Sequence, residues 1–243
     1  MMERRIQNLN WKVFAELVKD NRGAILPVGT IEAHGCANLG TDITIPEFIA
    51  EKAAEKLNLL IAPTVNYGIT RTLLPYSGSL TVSSEVFEAY VLEVAESLIN
   101  TGFEWILILN GHGGNNAELE SVARKLWKNT GGKSIVIHWW DFCEPLTVKM
   151  LKEKGTHAGL NENYMVMAAN PDLVREDLFD ARDIYRVRDG AYPYPNAGTI
   201  LKYEDNSASL RFDRQEAEEY ASAVVEYIFQ YVKKVVQNWE ITF

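Results

Sequence analysis

A short apolar run that stops on a glycine-laced polar turn sets the terms for this chain: Trp105-Ile106-Leu107-Ile108-Leu109, then Asn110-Gly111-His112-Gly113-Gly114-Asn115-Asn116. The run is too short for a buried helix, and its Trp, Ile and Leu content reads as a strand covered on both faces, the kind found in parallel sheets. The glycines permit unusual backbone angles and close approach, leaving His112 presented at the strand's carboxyl end. In open α/β sheets that edge is where ligands bind. His112 is one of four histidines, so the question is whether the others reach the same edge.

The rest of the chain repeats the strand and helix alternation. Residues 10–21 read as a helix with Trp11, Phe14, Ala15 and Val18 on one stripe, followed by a strand over 24–28. A helix over 46–57 takes Pro46 in its first turn, where a missing amide hydrogen does no harm, and a strand over 59–62 follows. Residues 63–84 lack a period and form a long loop, a length that in compact domains is usually functional. Residues 85–100 form an amphipathic helix through Phe87, Tyr90, Val91, Val94 and Leu98. Beyond the central strand come a helix over 117–127, a strand over 134–139, and helices over 146–153 and 162–170. Residues 172–210 show no usable period. Asp213 and Glu216 open a last helix in capping-box fashion, with Ala217, Ala221, Val224, Ile228, Tyr231 and Val235 facing inward. Strands alternating with long helices predict an α/β protein with a mostly parallel sheet covered on both faces, and residues 1–243 as a single domain.

An acidic balance, with formal net charge −9, argues against nucleic-acid or anionic-membrane partners and in favour of a small-molecule substrate. The start, Met-Met-Glu-Arg-Arg-Ile, has no signal-like apolar core, and no run approaches the roughly 18 apolar residues of a membrane span. A cytoplasmic protein is expected. Cys36 and Cys143, far apart and without metal-type spacing, read as reduced thiols. Cys36, two residues past His34, is either a group supporting that histidine or a small loop apolar.

Along an extended stretch Glu32 and His34 project to one side and Ala33 to the other. Asp42 follows a short loop, and His157 precedes Glu162 by one helical turn and a residue. Neutral imidazole and carboxylate oxygens at about 2.0 to 2.2 Å suit zinc, manganese or iron(II). Trp139, Trp140 and Asp141 follow the fourth strand at the same edge, whereas His138 lies within the strand and reads as packed core.

Three segments carry a family resemblance: Leu26-Pro27-Val28-Gly29-Thr30-Ile31-Glu32-Ala33-His34-Gly35 with Thr41-Asp42, Asn110-Gly111-His112-Gly113-Gly114-Asn115, and His157-Ala158-Gly159-Leu160-Asn161-Glu162. In this order they resemble the creatininase (creatinine amidohydrolase) family. The resemblance implies a three-layer α/β/α sandwich around a mostly parallel sheet and two divalent metal ions per chain, zinc, manganese or iron, at its carboxyl edge. It implies that Glu32 and His112 bind one ion, that His34 binds the other, and that Asp42 bridges them. A creatininase-like subset uses a glutamate two residues after the strand-end histidine; that position is Gly114 here, and Glu162 is expected to take its place. His157 matches the histidine placed over the substrate as proton donor. A tryptophan near Trp139 and Trp140 covers the substrate in relatives; Ser79, Gly113, Trp140 and Asp141 are the expected substrate contacts. The loop between Gly35 and Thr41 is one residue shorter than the family pattern; Glu162-Asn163 stands where the family has Glu-Thr and Ser77-Gly78-Ser79 where it has Pro-Gly-Thr, and these last two changes imply a substrate other than creatinine.

The resemblance therefore implies a dinuclear amidohydrolase in which a metal-bridged hydroxide attacks the carbonyl of a small amide, a cyclic one first of all, or of a formamide. Other members act on cyclic keto-sugars or on a short peptide terminus. A phosphate-bearing substrate would need convergent cations, and only Arg71 and Arg186 to Arg188 lie in suitable loops. From a different class, a nucleotide- or sugar-binding protein could cradle phosphate with the backbone amides of Gly111 to Gly114. Family members often form hexamers, so a homo-oligomer is expected, with residues 172–210 suited to an interface.

Overall fold

In the computed structural model, which describes residues 2–188, 190–191, 193–204 and 210–242, four strands form one parallel sheet. They are β1 (Gly23–Val28), β2 (Leu60–Ile61), β3 (Trp105–Asn110) and β4 (Lys133–His138), in the order β2-β1-β3-β4. After β1 the chain steps outward to β2 and then returns across β1 to β3, so the β1/β3 boundary is a topological switch point. Val28 lies beside Asn110 and Asn110 beside His138, which brings three strand ends level.

Every residue of β1 and β3 is buried, and period-2 alternation sorts their side chains between two cores. Ile25, Leu107 and Leu109 point into one core, and Leu26, Val28, Ile106 and Ile108 into the other. The first core is closed by α2 (Thr41–Leu57), α6 (Glu144–Leu151), α7 (Leu160–Ala169) and α8 (Arg214–Thr242), the second by α3 (Ser84–Asn100) and α4 (Asn116–Thr130). The result is the expected α/β/α layering. Helix α1 (Trp11–Asp20) packs Phe14, Leu17 and Val18 beside the sheet edge, and α5 (Trp139–Phe142) is a single turn.

Phe87 and Val91 on α3 and Ala217, Ala221, Val224 and Ile228 on α8 are buried as expected, but three aromatic positions of the expected faces turn outward. Trp11 is 72% exposed, Tyr90 56% and Tyr231 43%; the inward positions are Phe87, Val91 and Ala95 on α3 and Val232 on α8. Aromatic residues with a polar tip tolerate a helix flank, where the ring packs and the tip stays wet. Trp139 leaves the strand and opens α5. His138 ends β4 half-buried, its Nδ1 3.0 Å from Asn110 Nδ2, rather than lying in the core. At the start of α8, Asp213 Oδ1 accepts from the Glu216 amide at 2.9 Å, but the Glu216 carboxylate turns to Tyr164 and Arg211 instead of completing the box.

The stretch without a period contains short 3-10 turns and a two-stranded parallel ribbon, β5 (Ile184–Val187) with β6 (Ile200–Tyr203). Residues 205–209 of that stretch lie outside the described residues. Among the described residues no helix is long and apolar enough to cross a membrane.

Candidate metal centre

The carboxyl ends of β1 and β3 open into a cleft of about 610 Å³, within the usual range for small-molecule sites. Past Val28 the chain stays extended: Glu32 N–H donates to Leu39 O at 3.0 Å, and Ala33 N–H to Ser79 Oγ at 3.0 Å. The tight turn after His34 needs Gly35, which has φ +53° and lies so close to Ile200 that a Cβ would sit 2.4 Å from its side chain.

Asp42 arrives on a helix, not on the loop the sequence implied, because α2 begins at Thr41, five residues before Pro46. Pro46 has no amide hydrogen to donate to the carbonyl of Asp42, its normal helical acceptor. That carbonyl instead faces the Cα atoms of Gly29 and Gly111 so closely that a Cβ on either would come within 2.3 and 2.0 Å of it. Glycine at both strand ends is what lets the first turn of α2 drop onto the sheet and carry Asp42 into the cleft. Glu162 likewise sits in the first turn of α7, accepting from Ala158 N–H at 2.6 Å. Two helix N-termini thus point at carboxylates, the favourable sense for the helix dipole.

Each of the three histidines in the cleft holds one ring nitrogen against a backbone carbonyl, and a carbonyl can only accept. His34 Nδ1 is 2.9 Å from Glu32 O, His112 Nε2 3.0 Å from Ile69 O, and His157 Nε2 2.8 Å from Ala33 O. These contacts assign the proton and leave the other nitrogen facing the cleft. His34 Nε2 lies 3.0 Å from Asp42 Oδ1 and 3.7 Å from Glu162 Oε2. His112 Nδ1 lies 2.8 Å from Asp42 Oδ2 and 3.3 Å from Glu32 Oε1, and His157 Nδ1 3.5 Å from Glu32 Oε1. Yet His34 Nε2 and Asp42 Oδ2, both buried, make no hydrogen bond to any described residue. Lone pairs of imidazole and carboxylate converge on shared points, which is what a cation requires and what neutral hydrogen bonding would avoid.

Ligand-type atoms within 4.8 Å of one another fall into the groups Glu32/Asp42/His112 and His34/Asp42/Glu162, with Asp42 in both, and a third group, Glu32/His34/His157. The electrostatics mark the same cluster. Burial opposes charge on His34, but Asp42 outweighs it and raises the imidazole to about 10. His112 is also raised: burial works against it, and Glu32 and Asp42 prevail. Burial holds Glu162 up at about 8, while His157, buried beside His34, is pushed down to about 4. Burial also opposes charge on Glu32 and Asp42, but His112 and His34 respectively hold those two carboxyls low, so Glu162 alone of the three lacks the positive charge that would keep it ionised.

Of the other expected contacts, Gly113, Trp140 and Asp141 line the cleft. Ser79 is not among the lining residues; its hydroxyl oxygen accepts from Ala33 N–H, which fixes the Glu32 to His34 stretch. Cys36 is a buried free thiol directed at Asn163 Oδ1, 3.4 Å away, and is not among the ligand-type groups. Gly114 cannot carry a side chain here: a Cβ would lie 2.0 Å from Ile69 O and 2.5 Å from His112 Nε2. That position is closed to a carboxylate, and the carboxylate grouped with His34 and Asp42 is that of Glu162.

Sequence reasoning named Arg71 only as a loop cation for a phosphate-bearing substrate and missed its contact in the cleft, where the guanidinium donates to Gly114 O at 3.0 Å. It also missed the outer wall, where Val187, Leu201 and Tyr203 of β5 and β6 face the site and Leu201 N–H donates to His157 O at 2.9 Å. The only local signal was the β-forming run Ile200 to Tyr203.

Residues 7–232 match the family model described as Creatininase, creatinine amidohydrolase. The chain is 25% identical over 225 residues to creatinine amidohydrolase of Pseudomonas putida, covering 80% of this chain and 85% of that one. Over 113 residues it is 34% identical to 3-dehydro-scyllo-inosose hydrolase of Thermotoga maritima, 44% of this chain and 35% of that one. A creatininase solved in complex with creatine superposes with TM-score 0.82 at 20% identity, over 96% of this chain and 98% of that one. Creatininases described as zinc and manganese forms give TM-scores of 0.77 and 0.76 at 20% and 21% identity, with the same coverage. By the match of nearly its whole length to the family model, this chain belongs to the creatininase family of amidohydrolases.

Proposed function

We propose that this protein hydrolyses an amide bond of a small substrate with two divalent cations, one held by Glu32, Asp42 and His112 and the other by His34, Asp42 and Glu162. The observation that carries this reading is that His34 and His112 rest their outer nitrogens on backbone carbonyls while their inner nitrogens face the two oxygens of Asp42, with His34 Nε2 and Asp42 Oδ2 buried and without a hydrogen bond among the described residues. When bound, the ions supply Lewis acidity that polarises a carbonyl and brings the pKa of a water towards neutrality. Three carboxylates set against two divalent charges leave one net positive charge for the substrate oxygen.

His157 is the proton carrier. Its Nε2–H stays on Ala33 O, and Nδ1, unprotonated at neutral pH, faces the cleft. Nδ1 accepts a proton from the attacking water, whose oxygen bonds the carbonyl carbon, and returns it to the leaving nitrogen as the C–N bond breaks. Trp140 and the β5/β6 wall give the cleft an apolar and aromatic side suited to the substrate's body, in a space roomier than a single small ring needs. A second reading, ring opening of a cyclic keto-sugar, is favoured by the 34% identity to the scyllo-inosose hydrolase.

The test is elemental analysis of protein loaded with manganese or zinc, with a turnover screen of cyclic amides, formamides, lactones and cyclic diketones. Two ions per chain and chelator-sensitive amide hydrolysis are expected. His157→Gln should keep both ions and lose about 10²- to 10⁴-fold in kcat. Full turnover after complete chelation would sink the reading, and turnover of diketones alone would shift it to the sugar ring.

A further inference from the structure

We infer that Asn115 is the positioning residue that makes His112 a ligand, by clamping the loop around Ile69 against the imidazole; this rests on the reading of His112 as a cation ligand. Asn115 is fully buried at the turn into α4, and both ends of its amide are used. Oδ1 accepts from Ile69 N–H at 3.0 Å, and Nδ2 donates to Gly29 O at 3.2 Å and lies 3.4 Å from Asn110 Oδ1. One side chain therefore ties together the end of β1, the end of β3 and the long loop that follows β2. Ile69 is the residue whose carbonyl receives His112 Nε2–H, so the contact that sets the tautomer and tilt of His112 hangs on a loop that Asn115 anchors.

The packing leaves this loop nowhere else to go. Gly68, next to Ile69, lies so close to Asn115 and Gly29 that a Cβ would sit 2.6 Å from the oxygen of each. Gly114, on the other side, is closed to any side chain by Ile69 O and His112 Nε2. Asn110 completes the frame, its Oδ1 accepting from His112 N–H at 3.1 Å and its Nδ2 donating to His112 O at 2.8 Å. The backbone of His112 is thus set by Asn110 and its ring by Asn115 through Ile69. Asn115 hydrogen-bonds neither His34, Asp42 nor Glu162, and touches that group only through Gly29, which packs on the Asp42 backbone carbonyl and not on its carboxylate, so losing Asn115 should weaken one cation and spare the other.

The experiment is titration of metal-free full-length protein with Co²⁺, read by visible absorption and calorimetry, with the His112 Nε2–H followed by NMR. Wild type should take up two ions. His112→Ala should lose one of them. Asn115→Ala should bind the first normally and the second about 10- to 100-fold more weakly, with faster solvent exchange at His112 Nε2–H. Gly114→Ala tests the same contact from the opposite side, because its Cβ must push Ile69 O off the ring while both Asn115 bonds remain possible. It should show the same one-site loss. Val122→Ala, a cavity in the same helix, supplies a comparable stability loss and should keep both affinities. Two wild-type affinities in Asn115→Ala, or equal weakening of both ions, would overturn the inference while leaving the proposed function standing. Fewer than two ions in wild type, or none lost in His112→Ala, would remove both.

Discussion

On the floor of the cleft every group with chemistry is held by backbone: His34, His112 and His157 each rest one nitrogen on a carbonyl, and Asp42 and Glu162 ride on the first turns of helices. The outer wall is made differently. Trp140, Val187, Leu201 and Tyr203 come from a one-turn helix and two four-residue strands, with side chains less deeply buried than those of the floor. The difference teaches where change is cheap. A floor residue cannot move without dislodging a strand end or a helix start, whereas a wall residue can be exchanged and the cleft only changes shape, which is how one scaffold can host several substrates.

The contrast breaks first, if it is wrong, at Asp42. Asp42→Asn keeps the shape but removes a charge shared by both ligand groups. Cation content should fall from two ions to fewer than one, and activity by more than about 100-fold, since a direct ligand counts for more than the 10- to 100-fold of its supports. Elemental analysis beside kcat checks it, and a variant that keeps two tightly bound ions would show that the floor is not built around Asp42. Trp140→Ala is the sharpening counterpart on the wall. It should raise KM by roughly tenfold, the scale of one aromatic contact with its buried area, and leave both ions and kcat nearly intact. A fall in kcat with unchanged KM would instead place Trp140 with the floor.

The same division decided what could be read from the sequence. The run Trp105 to Leu109 and the turn after it were legible because a strand covered on both faces leaves no polar alternation, and a turn pressed on a helix must be glycine. Glu32 and His34 were legible because extended chain puts alternate residues on one side. Pairing the ions with particular residues came from family resemblance, not from spacing. The start of α2 was misjudged because Pro46 marks a helix start by local rule, while the close contact of Gly29 and Gly111 with the Asp42 carbonyl is tertiary. The wall was illegible for a related reason. β5 and β6 pair in parallel across a connection with Gly190, Pro193, Pro195 and Gly198, and strands of four residues, one of them with no buried residue, carry too little pattern to announce themselves.

The smallest expected effect lies behind the floor. Glu162 is carried by α7, and two residues further on Tyr164 donates to Glu216 Oε2 at 2.6 Å, while Arg211 reaches Glu216 Oε1 at 2.8 Å. The Arg211 guanidinium, with Tyr164, holds the Glu216 carboxyl below its usual range. A carboxylate whose folded pKa is depressed contributes stability above its unfolded value, near 4.3, and loses it as pH falls through the lower folded value. With side chains 39% and 34% exposed, the ion pair is screened, and its contribution should be only about 0.2 to 1 kcal/mol. Glu216→Gln should therefore melt a few degrees or less below wild type at pH 7, with the gap closing as pH drops below about 4. If the gap stays constant with pH, the carboxylate charge contributes nothing and the clamp holds α7 by packing and neutral hydrogen bonds. The support of Glu162 would then resemble that of the wall, tolerant of exchange, instead of that of His34 and His112.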